Sequence, residues 1–375
     1  MRKSLQIFML MLPFLFSGFA GKAQVNETSF GATDPSQQEG SHLLLKDYQP
    51  RSIYHVPGTK VTHAKFKVID IHSHPYAVTD DEIKTWVKTM DAMGVQKTII
   101  LTMATGAKFD SLVYKYGKYS DRFELWCGFD YTGYDKPGFG PDAVRELERC
   151  YQLGARGVGE LGDKGDGLFY SSPVKAFGMH IDDPRMRPLL QKCAELGMPV
   201  NIHVADPYWM YIPVDNQNDG MMNAADWQVD LSKKGKLGHQ ELINTLENAV
   251  KENPKTTFIA CHFANCCYDL DKLGVLLDKY SNLYADISAR YGETATIPRY
   301  MKSFFGKYQD KLLYGTDMGM DSDMYEITFR ILETRDEHFY YPSFNYHWSY
   351  SGFDLDQPVL KKIYYRNAEK LLELK

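Results

Sequence analysis

The sequence predicts a single α/β domain of the TIM (β/α)8 barrel class, and three observations carry that expectation. Between Phe66 and Asp317, short β-branched or apolar runs alternate with amphipathic stretches, the order of parallel strands joined by helices. The runs number eight, and no Pro/Gly/Ser-rich linker or internal repeat divides them. No glycine-rich phosphate loop follows an early strand, so an open doubly wound sheet lacks its usual signature.

The strand candidates are Phe66 to His72, Lys97 to Met103, Arg122 to Asp130, Arg156 to Glu160, Met198 to His203, Thr256 to His262, Asn282 to Ser288, and Lys311 to Asp317. Helical periodicity fills gaps between them at about Asp80 to Met93, Pro141 to Leu153, Pro184 to Leu196, His239 to Glu252, Asp269 to Tyr280 and Ile297 to Tyr308. Gly94, Gly154 and Gly197 follow three of these stretches, where a helix ends in a left-handed residue.

Ahead of the barrel, Met1-Arg2-Lys3 and the apolar stretch Leu5 to Phe19 have the charge and length of a signal peptide, residues 1–23, cut after Ala23 or, as second choice, Ala20. Export to the periplasm or beyond is therefore expected, with no stable membrane insertion after processing. Residues 24–64 read as an N-terminal leader and residues 65–375 as the barrel. A net charge of −5 argues against a nucleic-acid partner. The six cysteines are too sparse for a disulfide scaffold, contain no zinc-type pair, and read mostly as buried small hydrophobes.

The chemistry starts at Val68-Ile69-Asp70-Ile71-His72-Ser73-His74-Pro75. On a strand, residues two apart point the same way, so Asp70, His72 and His74 are expected to face the lumen and Ile69 and Ile71 the helices. Later strand candidates end in Glu160, His203, His262 and Asp317. Taken singly, such residues are commonly satisfied core histidines, helix caps or ion-pair partners. Six polar residues converging at the C-terminal mouth of one barrel would be costly to bury without compensation, and a divalent cation compensates them.

With the segments VIDIHSHP, GVGELGDKG, HIDDPRMRPLLQKCAELGMPVNIH, FIACHFAN, NLYADIS, LLYGTDMG and KKIYYRNAEKLL, the chain resembles the amidohydrolase superfamily, in its type 2 branch, over nearly all of Phe66 to Leu374. The resemblance implies a metal-dependent barrel enzyme in which His72, His74, His203 and Asp317 bind the cation. It also implies that His262 binds a second ion or acts on the substrate, and that Glu160 bridges two ions, binds one, or stands aside. One or two divalent ions are expected, with zinc favoured by the nitrogen and oxygen donors and manganese or iron as alternatives. Metal-dependent deoxyribonucleases of the same superfamily share part of the pattern, but Gly315-Thr316-Asp317 stands where they usually carry Glu-Thr-Asp.

The leading expectation is an exported hydrolase that cleaves a lactone, ester or amide with metal-activated water, Asp317 moving the proton and His262 assisting at the oxyanion. The type 2 branch also contains decarboxylases, which need cations for substrate carboxylates. Arg290 and Lys164 are the candidates, unless they pair with Asp286, Asp163 or Asp166. The aromatic loops after the fifth and eighth strands offer Tyr208, Trp209 and Trp348 to a small carbohydrate-derived or aromatic substrate. A non-catalytic exported binding protein would show a depleted ligand set, and this set is intact. The sequence leaves a homo-oligomer open.

Overall fold

The computed structural model describes residues 42–344 and 346–373, so the expected signal peptide and most of the leader lie outside the described residues. The chain divides into two compact units, Met1–Asp47 and Tyr48–Lys375. Of the first, the described residues are exposed and include a short 3-10 turn at Leu45–Asp47. The boundary thus falls before residue 48, where the sequence places it after 64. Residues 48–64 are held to the barrel unit by side-chain acceptors: the Thr59 N–H and hydroxyl donate to Asp336 at 2.7 and 2.8 Å. Just beyond them, the Lys65 N–H donates to Glu333 at 2.9 Å.

Ten strands follow: β1 Val68–Ser73, β2 Val95–Leu101, β3 Phe123–Trp126, β4 Val158–Asp163, β5 Gly167–Leu168, β6 Ala176–Phe177, β7 Val200–Val204, β8 Phe258–Ala260, β9 Leu283–Asp286 and β10 Leu312–Leu313. They lie in two sheets, β1-β2-β3 and β10-β9-β8-β7-β4-β5-β6. All pairs are parallel except those of the small β5–β6 hairpin appended to β4. Backbone hydrogen bonds cross both gaps between the sheets. The Cys127 N–H donates to the Gly157 carbonyl at 3.1 Å, and the Ile71 N–H donates to the Tyr314 carbonyl at 3.0 Å. Eight parallel strands therefore bond around a full circuit, the TIM-barrel arrangement, and each of the eight predicted runs supplies one of them.

The helices are α1 Asp80–Met93, α2 Gly106–Tyr116, α3 Pro141–Gln152, α4 Arg187–Leu196, α5 Met221–Trp227, α6 His239–Glu252, α7 Leu270–Lys279, α8 Tyr291–Thr294, α9 Pro298–Lys307 and α10 Ser322–Glu333, followed by a C-terminal helical segment from Gln357 to Leu371. Helix α1 shows the local logic. Thr79 and Glu82 form a reciprocal cap, Gly94 closes the helix at φ 79°, and Ile83, Trp86, Met90 and Met93 form the buried stripe. Helices α2, α5, α8 and α10 are absent from the sequence expectation. In α10 almost every residue from Met324 to Leu332 is buried, which erases the polar face that marks a helix in sequence. Among the described residues no helix is long and apolar enough to cross a membrane.

The facing of β1 corrects the sequence reading. Ile69 and Ile71 pack with Ile99, Leu101, Trp126, Ile259 and Leu313, residues of four other strands that only the barrel interior brings together, and Ala368 of the C-terminal segment joins them. Asp70 points the other way, accepting the Thr316 hydroxyl at 2.6 Å and the Thr316 N–H at 3.0 Å. A register irregularity between Asp70 and Ser73 then brings His72 inward. Strict alternation fails at that bulge.

Gly315 fits the same bend, because a Cβ there would lie 2.8 Å from the His72 Cβ. Gly315→Ala should destabilise the metal-free protein by about 1–3 kcal/mol through overpacking. A lowered urea midpoint would show it; an unchanged midpoint would mean the seam yields freely.

Candidate metal centre

The strand ends deliver the six predicted residues to one place. Glu160 lies among four imidazoles: its Oε1 accepts from His203 Nδ1 at 2.7 Å and stands 3.4 Å from His262 Nε2 and 3.9 Å from His72 Nε2. Its Oε2 is 3.4 Å from His74 Nε2. Asp317 closes the other side, with Oδ1 at 3.1 Å from His74 Nε2 and 3.8 Å from His72 Nε2, and Oδ2 at 3.6 Å from His262 Nε2. His72, His74 and Asp317 form one compact donor group, and Glu160, His203 and His262 another.

The donor chemistry fits a divalent cation. Each imidazole is oriented by a bond from Nδ1: His72 to Asp286 Oδ2 at 2.9 Å, His74 to the Leu101 carbonyl at 2.9 Å, His262 to the Ser288 carbonyl at 3.0 Å, and His203 to Glu160. With the proton on Nδ1, each Nε2 presents a lone pair. His72 Nε2 and His203 Nε2 are buried without any hydrogen-bond partner, and the other two face carboxylate oxygens. Acceptors facing acceptors in a dry site repel unless a cation, metal or proton, stands between them.

Around this cluster the backbone is bent to order. His262 and Asp317 both have left-handed backbones, φ 58° and 54°. They are held there by the His262 N–H donating to Asp286 Oδ1 at 3.0 Å and the Asp317 N–H donating to the His72 carbonyl at 2.9 Å. Asp286 also accepts from Asn201 Nδ2 at 3.1 Å and from the Ser288 N–H at 3.1 Å. It is fully buried. Burial alone would raise its pKa, but the charge of His72 and these donors hold it well below the usual carboxylate range.

Burial and the positive neighbours His203, Arg290 and His72 push His262 down to about 4, despite Glu160. His72 behaves oppositely: burial disfavours its charge, yet Asp286, Asp317 and Glu160 raise it to about 9. The carboxylates draw onto His72 the positive charge that a metal would supply.

The sequence treats Asp286 only as a partner for Arg290, and the structure assigns both residues differently. Asp286 orients His72. Arg290 directs Nε and Nη2 to Asn265 Oδ1 at 2.9 and 2.6 Å and Nη1 to the Ala289 carbonyl at 3.0 Å. Lys164 pairs with Asp206 at 2.6 Å rather than with Asp163 or Asp166, which take His180 and Lys236. Tyr208, Trp209 and Trp348 line one cavity of about 300 Å³ with Asn265, Glu293 and Tyr268. Sequence reasoning misses Tyr76, whose hydroxyl lies 3.3 Å from Asp317 Oδ1; its place two residues past His74 is the signal that could have found it. All six cysteines are free, and five are buried. Cys261 sits within the centre, its Sγ 2.8 Å from Asn201 Oδ1.

Comparison with known proteins shows the family and the fold. Residues 69–374 match the family described as Amidohydrolase. No curated protein matches the chain. Its fold is similar to that of an uncharacterised TIM-barrel protein from Bordetella bronchiseptica, with a TM-score of 0.53 and 15% identity over 82% of this chain and 99% of that one. It is also similar to a dihydroxybenzoic acid decarboxylase from a Polaromonas species, solved with manganese and 2-nitroresorcinol, with a TM-score of 0.52 and 15% identity over 82% and 97% of the two chains. A 5-carboxyvanillate decarboxylase from Novosphingobium aromaticivorans, solved with manganese and a nitrobenzoic acid, has a TM-score of 0.50 and 15% identity over 85% and 100%.

Two outcomes follow from the centre's electrostatics. A metal that takes the His72 lone pair must expel the proton held there at neutral pH. Affinity should therefore rise with pH and level off above about 9, roughly tenfold per pH unit for each proton released. Calorimetry in buffers of different ionisation enthalpy would count the protons, and pH-independent affinity would contradict the assignment. Asp286→Asn, which keeps the shape and removes the charge orienting His72, should weaken metal binding about 10- to 100-fold, measured by competition with a chelating indicator.

Proposed function

Because the chain belongs to the amidohydrolase family, we propose that it is a metal-dependent hydrolase that uses activated water on a carbonyl-centred bond of a small, carboxylate-bearing substrate. Asp317 carries this reading. Of the two carboxylates in the donor cluster it is the more open, 21% exposed against 4% for Glu160. Burial would raise its pKa, but His72, His74 and His262 bring it down to about 2, so it meets water as a base.

His72, His74, His203 and Asp317 would hold the cation, with Glu160 and His262 beside them. Bound there, a divalent ion would supply electrophilic polarisation and a water of lowered pKa. As the water oxygen attacks the carbonyl carbon, Asp317 takes its proton; it returns that proton to the departing oxygen or nitrogen as the bond breaks. His262 is better suited to hold a cation than to donate to an oxyanion, because its Nδ1 proton is committed to the Ser288 carbonyl. Tyr76, a neutral hydroxyl at the rim, donates to Asp317 and would be freed to turn to the oxyanion as Asp317 takes the proton. Manganese is our preferred ion over the zinc suggested by donor type alone, supported by the manganese in two similar structures.

A second reading, decarboxylation, is favoured by Arg290. Its guanidinium bonds only neutral acceptors. It is near enough to His262 to depress that residue's pKa, a place where a substrate carboxylate would be drawn. The decarboxylases of similar fold support it as well.

Incubating the manganese-loaded protein with carboxylated lactones, amides and hydroxybenzoates separates the two, since acid release without carbon dioxide marks hydrolysis and carbon dioxide marks decarboxylation. On any substrate hydrolysed by the parent, Asp317→Asn should lose about 100-fold or more in kcat while staying folded. Near-normal turnover by a metal-loaded Asp317→Asn variant would remove Asp317 as the base.

A further inference from the structure

The cavity walled by the aromatic loops, joined to Arg290 through Asn265, has a composition that the proposed reaction does not by itself require. Trp209, Trp348, Tyr208 and Tyr268 supply its aromatic walls, Glu293 and Asp219 supply two carboxylates, and among the described residues no Lys, Arg or His lines it. Lys272 reaches the Tyr268 hydroxyl at 2.8 Å without entering the lining. Glu293 is held in place by neutral donors, the Tyr346 hydroxyl at 3.0 Å and the Trp209 indole N–H at 3.4 Å. The walls are fixed too: Tyr346 stacks on Trp348 at 4.3 Å and Tyr208 on Tyr268 at 4.0 Å. Gly220 lets Trp209 lie down, since a Cβ there would meet its ring at 2.3 Å.

Arg290 and Glu293 begin and continue the same short helix α8 one turn apart, yet they do not pair; each is drawn aside by uncharged partners. Asn265 joins the two halves, accepting from Arg290 on one side and lining the cavity on the other. Burial would lower the Arg290 pKa and the field of Glu293 helps to raise it, yet no ion pair joins the two, so each can still take a ligand group of opposite charge.

We propose that this aromatic cavity is a subsite for an ammonium group, with Glu293 as its counter-charge and the aromatic faces as its walls. A neutral sugar would stack equally well on the rings but would leave Glu293 without a cation in the cavity wall, whereas an organic cation pairs with it and gains from the ring faces. Resting on the reading that Arg290 takes a substrate carboxylate, the subsite makes the substrate zwitterionic, an amino-acid-like compound carrying both charges.

The test is binding, so it stands apart from turnover. Choline chloride, its neutral isostere 3,3-dimethylbutanol and methyl β-glucoside are titrated against the full, manganese-loaded chain by tryptophan fluorescence and calorimetry. Choline should bind at least about tenfold more tightly than either neutral probe, through the attraction of its cation to the ring faces and to Glu293. Glu293→Gln, which can still accept from Tyr346 and Trp209, should lose at least that factor for choline. Equal affinity for choline and dimethylbutanol, preference for the glucoside, or unaltered choline binding in Glu293→Gln would each overturn the subsite. If Glu293→Gln does not fold, Asp219→Asn at the rim carries the test: a threefold or larger loss supports the subsite, and unchanged choline affinity overturns it. Loss of hydrolysis on every substrate with choline binding intact would overturn the reaction and leave the ammonium site standing.

Discussion

The buried carboxylate of Asp286 is the interaction on which the centre depends. It takes donors from β1 through His72, from β7 through Asn201, and from the bend after β8 through the His262 N–H. One negative charge in a dry lumen thus ties three strand ends together and turns one imidazole towards the place for the cation while fixing the backbone of another. The arrangement is frustrated without a metal, because the lone pairs it aims inward meet two further carboxylates. A buried network of this kind contributes little net stability by itself. Its value is geometric, since it stores in the fold the orientation that a cation needs on arrival.

Much of this was legible in the chain. Eight runs and their order gave the barrel, and the polar residues at the ends of five runs located the mouth, because a barrel strand places its last inward side chain there. What failed was the step from pattern to facing. Period-two alternation put Asp70 beside His72 in the lumen, whereas Asp70 turns outward to Thr316 between the inward Ile69 and Ile71, and the irregularity before Ser73 brings His72 inward. A bulge is settled against the neighbouring strand, here β2, with the narrow Gly315 leaving room for His72 on the other side, and no local propensity records it. The same holds for Asp286, which reads as an unremarkable strand residue until β1 and β7 are laid beside it. Partners of Arg290 and Lys164 were misjudged for a similar cause: proximity in sequence suggested Asp286, Asp163 and Asp166, but the loops bring Asn265 and Asp206 instead.

The two ends of the site work by different physics. At the metal centre, rigid strand ends carry charged and polar groups in fixed opposition, and exposure is low. In the neighbouring cavity the walls are long aromatic loops, braced by stacking and by a few N–H and O–H donors, with Tyr208 and Tyr268 still more than a third exposed. Chemistry sits on the scaffold and selection sits on the loops, the usual division in barrels of this class.

The circuit of strands also fixes when the molecule can become whole. Ile71, in the first strand of the barrel, bonds to Tyr314, and the interior cluster under the centre is completed by Ala368, with Tyr365 and Leu371 packed against it. Those residues are made after every strand they close upon. The floor of the barrel cannot be laid, nor β1 sealed against its final neighbour, until the stretch from Tyr314 to Leu371 has emerged. Acquisition of the ion is thus deferred until that stretch is in place, and the first seven strands must wait with an open seam, a long-range closure of the kind that makes folding slow.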